Sequence, residues 1–337
     1  MARGQRLLFG PGPRVEVEAL DVPEPGPNQV LVRVARSQVS AGSEMNFIRY
    51  GAAGYGLPAD SPERVPIGYM AVGHVAAFGP GVMGYAVGER VLTGGPHGSD
   101  WLVELDNPNV YLEKVPDGIT DDAAGFAVLG DVALHGIRRA ALQIDESVAV
   151  FGMGMVGQLT LQLARLSGAY PLIAVDIADT RLEKARLSGA TDTINAARDD
   201  PASAIRAITG GAGAETIFHC TQVAGILQNL LASAADRGTI VLTGSAPGTA
   251  QIGLQAELLR HELTIVGIYE AAMNQPHAYW PWTRRRNRRA CLRLMNEKML
   301  RMDHVITHVV PPEQAQAMFD TMLRGSEEWL GVVFAWA

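Results

Sequence analysis

Two patterns of hydrophobic positions divide the chain. From residue 148 onward, continuous apolar runs alternate with stretches of helical periodicity. Apolar strands that alternate with helices are typical of a parallel sheet covered by helices on both faces. The predicted strands lie at 148–151, 172–175, 216–218, 239–242 and 263–266. This part of the chain is therefore predicted to have an α/β fold with a doubly wound parallel sheet.

The first third of the chain has a different pattern. Short β-branched runs at 29–34 and 88–92, separated by Gly and Pro, predict a compact β-rich domain. Near residue 120 an Ala-rich helix begins, with Thr120 or Asp121 as its N-cap. After residue 268 the alternation stops, and a helix-rich tail ends in a predicted strand at 331–336. These changes predict segments 1–120, 121–268 and 269–337.

Composition narrows the possible functions. A chain of 337 residues suits two domains. The net charge of −7 argues against nucleic acid as a general partner, because binding phosphates needs a basic face. No apolar run reaches the roughly 18 residues of a membrane span, and the first residues lack a secretory pattern, so we expect no membrane partner and a cytoplasmic location. The two cysteines exclude a disulfide framework and a four-cysteine zinc lobe.

A glycine-rich turn follows the predicted strand at 148–151 and opens a helix at 158–167. In this context the pattern G-x-G-x-x-G predicts a Rossmann dinucleotide site, with the phosphates at the helix N-terminus. Gly152 would permit the turn, Gly154 would let the backbone approach the pyrophosphate, and Gly157 would let helix and strand pack closely. The motif residues predicted to bind the cofactor are Gly152, Gly154, Met155, Val156 and Gly157.

An acidic residue after the second strand indicates which dinucleotide is preferred. Asp176 stands where a carboxylate accepts hydrogen bonds from the adenosine ribose hydroxyls and repels a 2′-phosphate. NAD is therefore predicted over NADP. Arg181 is close enough in sequence to complicate this preference, but its position fits the solvent face of a helix. Thr243 and Ser245 follow the fourth strand, at the edge where such sheets bind ligands. Ser245 is either a cofactor contact or an ordinary turn residue.

Five segments, taken with the domain order, carry a family resemblance over nearly the whole chain. They lie at 39–44, 65–73, 87–91, 116–118 and 152–157. In this order they resemble the medium-chain dehydrogenase/reductase superfamily. The resemblance implies a GroES-like catalytic domain at 1–120, a Rossmann domain at 121–268 and a return to the catalytic domain at 269–337. It also implies an oxidoreductase acting on a small molecule, and a homodimer paired through the edge strand at 263–268.

The zinc ligands of this superfamily are missing from the sequence. Zinc-dependent members carry Cys-Gly-Thr-Asp where this chain has the residues 41–44, and Gly-His-Glu at 68–70. The residues at the ligand positions are Ala41, Tyr69, Met70 and Val128. A catalytic zinc site needs three protein ligands, so no zinc is expected.

Without a metal, another group must give or take the substrate proton. Tyr69 replaces a ligand, and Ser43 matches the hydroxyl that relays protons in the family, so these two are the leading candidates. His97 and Asp131 are further candidates at the border of the cleft, although ordinary roles in a loop and a helix are equally open. Asn46 stands where some members have a histidine that ends the proton relay. Proton transfer along that route is therefore expected to be weaker in this chain.

An arginine run at 284–289 follows the aromatic segment 279–282. Together they would form a wall for a bulky or anionic substrate. The alternative, which the spacing favours, is the exposed side of an amphipathic helix. The arginines assigned to that exposed side are Arg284, Arg285, Arg288 and Arg289.

Three functions are compatible with these features. The favoured one is a zinc-independent, NAD-dependent oxidoreductase acting on a secondary alcohol or ketone of a biosynthetic, cyclic or sugar-like substrate. Within the superfamily, residues 40–44, 68–69, 306–308 and Trp336 resemble the zinc-free branch of bacteriochlorophyllide dehydrogenases and cyclitol or sugar oxidoreductases, and none of them defines a substrate. An NADPH-dependent enone or quinone reductase is the first alternative, disfavoured by Asp176. A non-catalytic nucleotide-binding protein is the second, disfavoured by Ser43 and Tyr69.

Overall fold

The computed structural model describes residues 3–10, 14–50, 64–269, 276–325 and 329–336. The chain forms two compact units. The first comprises Met1–Val128, Leu292–Glu297 and Ile306–Ala337, and the second comprises Leu129–Cys291 and Lys298–Val305. The first unit thus includes residues up to Val128, and the described residues 276–291 belong to the second unit. Within the described ranges, no helix is both long and apolar enough to cross a membrane.

The elements of the described residues are numbered in chain order. The strands are β1 Arg3–Gly10, β2 Arg14–Asp21, β3 Gln29–Gln38, β4 Ala71–Phe78, β5 Arg90–Thr93, β6 Asp100–Glu104, β7 Leu112–Lys114, β8 Val148–Phe151, β9 Leu172–Asp176, β10 Asp192–Asn195, β11 Ala214–His219, β12 Ala234–Leu242, β13 Thr264–Gly267, β14 Ile306–Val310 and β15 Gly331–Ala335. The helices are α1 Ala41–Tyr50, α2 Asp121–Ala124, α3 Ala127–Ala140, α4 Met155–Leu166, α5 Asp179–Ser188, α6 Pro201–Ile208, α7 Leu227–Ser233, α8 Arg284–Asn296 and α9 Ala315–Arg324. A π-helical segment spans Leu254–Leu259, and 3-10 turns span Ala224–Ile226 and Pro312–Gln314.

The first unit is built on a mixed sheet. Its described strands run β14-β15-β3-β4-β5-β7, with β6 also paired to β3, and β1 and β2 form a separate hairpin. The predicted terminal strand is confirmed as β15, which pairs antiparallel with β3 and so returns the tail to this unit. Phe9, Phe319 and Phe334 are fully buried in its core, with the rings of Phe9 and Phe319 5.1 Å apart. This core anchors the segments that carry the candidate site.

The second unit contains the predicted doubly wound sheet. Its described strands run β10-β9-β8-β11-β12-β13, and each neighbouring pair is parallel. The five strands predicted from apolar runs are all present. The sixth, β10, was not predicted because its sequence, Asp-Thr-Ile-Asn, is mostly polar. β8 lies at the centre of the sheet, where the carboxyl ends of its neighbours form the usual ligand crevice.

Candidate active site

The glycine-rich turn of the second unit joins β8 to α4. Gly152 has φ of +94°, in the region that favours glycine. A Cβ on Gly157 would lie 1.8 Å from the carbonyl oxygen of Gly152, so α4 packs against the turn too closely for any side chain. A Cβ on Gly154, by contrast, would meet no atom within 4 Å. The turn is therefore tight at its base and open in front of Gly154, as a pyrophosphate cradle requires.

The start of α4 faces this open side. Gly154 is the N-cap of the helix, and Met155 and Val156 are its first two residues. Their backbone N–H groups have no partner one turn earlier within the helix, which makes a helix start a favourable place for an anion. The fit to a dinucleotide therefore rests on the backbone of the turn.

Asp176 lies at the end of β9 with its carboxylate fixed beside the turn. Its Oδ2 accepts the backbone N–H of Met153 at 2.6 Å, and its Oδ1 accepts that of Ala178 at 2.9 Å. Arg181 is half-buried in α5, and its backbone carbonyl accepts the side-chain amide of Gln158 at 3.0 Å. The carboxylate is held in place while keeping lone pairs free for further donors.

The ends of β11 and β12 place the remaining cofactor candidates. Thr243 is buried directly after β12, where its N–H donates to the carbonyl of His219 at 3.0 Å. Ser245, two residues later, is exposed. Of these two, only Ser245 presents its side chain to solvent.

Three hydroxyl groups meet in the first unit around Tyr69, the residue at one of the family's ligand positions. Tyr69 precedes β4 and is half-buried, and its hydroxyl lies 3.4 Å from the hydroxyl of Ser43 in the first turn of α1. Its closer partner is the hydroxyl of Ser40, which immediately precedes α1. The hydroxyl of Tyr111 donates to the carbonyl of Tyr69 at 2.7 Å and fixes the backbone there. The structure thus brings Tyr69 and Ser43 together and adds Ser40, to which the sequence analysis assigned no role.

A buried acid–imidazole pair lies behind this cluster. His97 and Glu44 are both 0% exposed, and Nε2 of His97 lies 3.0 Å from Oε2 of Glu44. Nδ1 of His97 lies 2.7 Å from the hydroxyl of Ser37. The candidate His97 therefore lies inside the unit rather than at the surface of a cleft. Glu44 was missed, although a serine at the start of a helix with a glutamate four residues later resembles a capping pattern.

The candidate Asp131 belongs to the second unit, on α3, and is fully buried. Its Oδ2 lies 3.4 Å from Nε of Arg284 and 3.6 Å from Nη1 of Arg288. Burial raises the pKa of Asp131 to about 6, although both arginines act in the opposite direction. The structure places this carboxylate in an ion cluster between two helices.

The prediction that the arginine run is an exposed helix face is wrong for two of its members. Arg288 is 5% exposed and Arg284 is half-buried, because residues four apart share a face of α8 and this face meets Asp131. Arg285 and Arg289 are exposed, as predicted. The neighbouring Trp282 ring is stacked between two guanidinium groups, with Arg138 at 3.7 Å and Arg286 at 3.9 Å from its centre.

The side chains at the family's ligand positions do not fit a zinc ion. Met70 and Val128 are buried and apolar, and the Glu44 carboxylate is already bound by His97 and by the N–H of Ser40. Across the described ranges, no group of three or more His, Cys, Asp or Glu side chains lies close enough together to hold a metal. Catalytic zinc sites use three protein ligands, and the hydroxyl cluster offers neither thiolate nor free imidazole.

Comparison with known proteins agrees with this architecture. The profile of the family described as zinc-binding dehydrogenase matches residues 155–284. The chain is 30% identical over 262 residues to D-guloside 3-dehydrogenase of Escherichia coli (strain K12), covering 75% of this chain and 73% of that protein. It is 25% identical over 348 residues to sorbitol dehydrogenase of Homo sapiens, covering 95% and 92%.

Solved structures share the fold along the whole chain. Galactitol-1-phosphate dehydrogenase from Escherichia coli has a TM-score of 0.83 at 19% identity, covering 98% of this chain and 99% of that one. The 2R,3R-butanediol dehydrogenase from Bacillus subtilis has a TM-score of 0.81 at 21% identity, with the same coverage of 98% and 99%. The matched profile, the 30% identity to a dehydrogenase, and the presence of both a Rossmann sheet and a mixed sheet show that this chain belongs to the medium-chain, zinc-type alcohol dehydrogenase-like superfamily of oxidoreductases.

Proposed function

We propose that this protein is an NAD-dependent oxidoreductase that interconverts a secondary alcohol and a ketone on a polyol or sugar-like substrate, without a catalytic metal. The observation that carries the proposal is the hydroxyl cluster of Tyr69, Ser40 and Ser43, in which Tyr69 stands at a ligand position of the metal-dependent members of the superfamily. The substrate class is supported by relatives named for sorbitol and D-guloside.

The preference for NAD rests on Asp176. Hydrogen bonds from Met153 and Ala178 hold both oxygens of its carboxylate at the turn. A carboxylate there can accept hydrogen bonds from the two ribose hydroxyls, and its negative charge repels a 2′-phosphate. A bound nicotinamide would supply the hydride acceptor or donor, and the chain's own task is to hold the dinucleotide and to manage the substrate proton.

The hydroxyl cluster would accept or donate the substrate proton. Oxidation of an alcohol releases its hydroxyl proton, and reduction of a ketone requires a donor facing the developing alkoxide. The Tyr69 hydroxyl can play both parts, because it is half-buried and lies within reach of two further hydroxyls. A preorganised donor costs no reorganisation at the moment of reaction.

The test compares wild type with Tyr69→Phe. Reduction of NAD⁺ and of NADP⁺ is measured with sorbitol, glycosides and simple secondary alcohols. Tyr69→Phe should lose about 10² to 10⁴ in kcat while keeping its affinity for NADH. Tyr85→Phe, which removes a phenol that donates to the carbonyl of Leu112, is the matched control and should keep the wild-type rate.

Other outcomes separate the alternatives. Turnover of enones or quinones with NADPH, and none of alcohols, would establish the reductase alternative. Tight NADH binding with no turnover of any of these compounds would favour a non-catalytic protein. A Tyr69→Phe variant as fast as wild type would remove Tyr69 from the mechanism.

A further inference from the structure

Ser40 is the link between the candidate proton donor and the interior of the first unit. Its side chain is almost fully buried, its hydroxyl is hydrogen-bonded to that of Tyr69, and its backbone N–H donates to Oε1 of Glu44 at 2.8 Å. The backbone of Ser40 is therefore held by Glu44, while its hydroxyl contacts the phenol of Tyr69.

The burial of Glu44 needs a compensating interaction. A carboxylate at this position satisfies a free N–H at the start of α1, but an exposed glutamate would do the same. Burying a charged carboxylate costs several kcal/mol unless it is paired and hydrogen-bonded. Glu44 is 0% exposed, and His97 supplies the partner. Such a buried pair is by itself weak evidence for stability, and the geometry around it indicates its function here.

The hydrogen-bond directions around His97 follow from its neighbours. The indole Nε1 of Trp336 can only donate, and it donates to the hydroxyl of Ser37 at 2.8 Å. The Ser37 proton is then directed at Nδ1 of His97, 2.7 Å away, which leaves Nε2 of His97 as the donor to Glu44. The ring of Phe334 packs against His97 with centroids 5.1 Å apart and holds the imidazole plane.

These contacts form one series of hydrogen bonds from Trp336, directly after β15, to the phenol. It runs through Trp336, Ser37, His97, Glu44 and Ser40 to Tyr69. Ser37 belongs to β3 and Glu44 to α1, while His97 lies in the loop before β6. These separate elements of the first unit are thus linked to the backbone of Ser40 through Glu44.

We propose that Ser40 orients the Tyr69 hydroxyl for proton transfer, and that Glu44 and His97 are positioning residues that act through Ser40. This inference rests on the proposed function, because it assigns the phenol a proton to move. It extends that function by assigning the fixed orientation of the donor to the buried carboxylate of Glu44 and the buried imidazole of His97.

The kinetic test uses Ser40→Ala, Glu44→Gln and His97→Gln. Each should lower kcat about 10²-fold, as misplacement of a reacting group does, and change the KM of the polyol less than about twofold. The double variant Glu44→Gln/His97→Gln should lose no more than the worse single variant, because both residues act along one route. Glu113→Gln, which removes another buried carboxylate of the same unit, is the matched control and should keep the wild-type rate.

A spectroscopic test does not depend on turnover. The absorbance titration of Tyr69 is obtained as the difference between wild type and Tyr69→Phe. Ser40→Ala should move its midpoint upward, because a hydroxyl donor that stabilises the phenolate is lost. Glu44→Gln should move it downward, because a negative charge that opposes the phenolate is removed, and Glu113→Gln should leave it in place.

The two tests separate the two claims. If wild type oxidises nothing in the panel but the midpoints move as described, the proposed function fails and the positioning network stands. If wild type is active while Ser40→Ala and Glu44→Gln keep its kcat and its Tyr69 midpoint, the network is overturned. Should Glu44→Gln fail to fold, Ser40→Ala decides the matter by the same criteria, because it removes no buried charge.

Discussion

Two alanine substitutions in the glycine-rich turn should separate cofactor binding from folding. Gly154 has φ of −68° and ψ of −177°, which any residue adopts, and a Cβ there meets no protein atom within 4 Å. Gly154→Ala should therefore fold as well as wild type or better, by about 0.4 to 1 kcal/mol, because alanine loses less backbone entropy. Its methyl group would nevertheless stand where the backbone should approach the pyrophosphate.

The expected loss of affinity follows from the contact that is lost. A hydrogen bond from a backbone N–H to a charged phosphate contributes about 1.5 to 3 kcal/mol. Losing one such bond weakens NADH binding about 10- to 100-fold. Gly157→Ala is the contrasting change, because its Cβ would lie 1.8 Å from the backbone oxygen of Gly152, which no side-chain rotation can relieve. Forcing α4 away from the turn should cost about 1 to 3 kcal/mol of stability.

The assay pairs a fluorescence titration with NADH and urea unfolding of the three proteins. We expect Gly154→Ala to combine wild-type stability with weak binding, and Gly157→Ala to be destabilised. If Gly154→Ala binds NADH as tightly as wild type, the dinucleotide does not approach the chain at this turn, and the assignment of the motif is wrong.

Three further predictions concern other parts of the chain. Asp176→Asn should reduce the preference for NADH over NADPH, which competition binding will measure. An unchanged preference would mean that Asp176 does not hydrogen-bond the adenosine ribose. Because burial raises the pKa of Asp131 from 3.8 to about 6, its protonation stabilises the fold below pH 3.8, and this contribution is lost as the pH rises through 6. Wild type should therefore lose about 1 kcal/mol of unfolding free energy between about pH 5 and 7.5, relative to Asp131→Asn, whose amide does not titrate. A stability difference between the two proteins that stays constant with pH would contradict the raised pKa. β13 ends the order of the sheet in the described residues, so we expect a homodimer paired there, and light scattering that gives a monomer mass at micromolar concentration would refute it.

The sequence predicted the Rossmann sheet well because its central strands are continuous apolar runs between helices. β10 was not predicted because only Ile194 and Asn195 of this strand are buried. The strand joins the sheet through backbone pairing with β9, which leaves no apolar run in the sequence. The turn was predictable in detail because its chemistry is local, within six consecutive residues.

The buried polar groups were not predictable in the same way. Glu44 and His97 are 53 residues apart, and nothing in either local pattern indicates that they meet. Arg288 looked exposed because helical periodicity identifies a polar face without showing whether a carboxylate such as Asp131 lies opposite. Pairing at long range decides whether a charged residue is a surface group or part of the interior.

Metal dependence distinguishes a hydroxyl proton donor from a catalytic zinc ion. The protein is dialysed against a strong chelator, its zinc content is determined by elemental analysis, and NAD⁺ reduction is then measured with the best polyol of the panel. We expect far less than one zinc per chain and an unchanged rate, because Tyr69 and its hydroxyl partners give and take the substrate proton. A rate that disappears on chelation and returns with added zinc would contradict it.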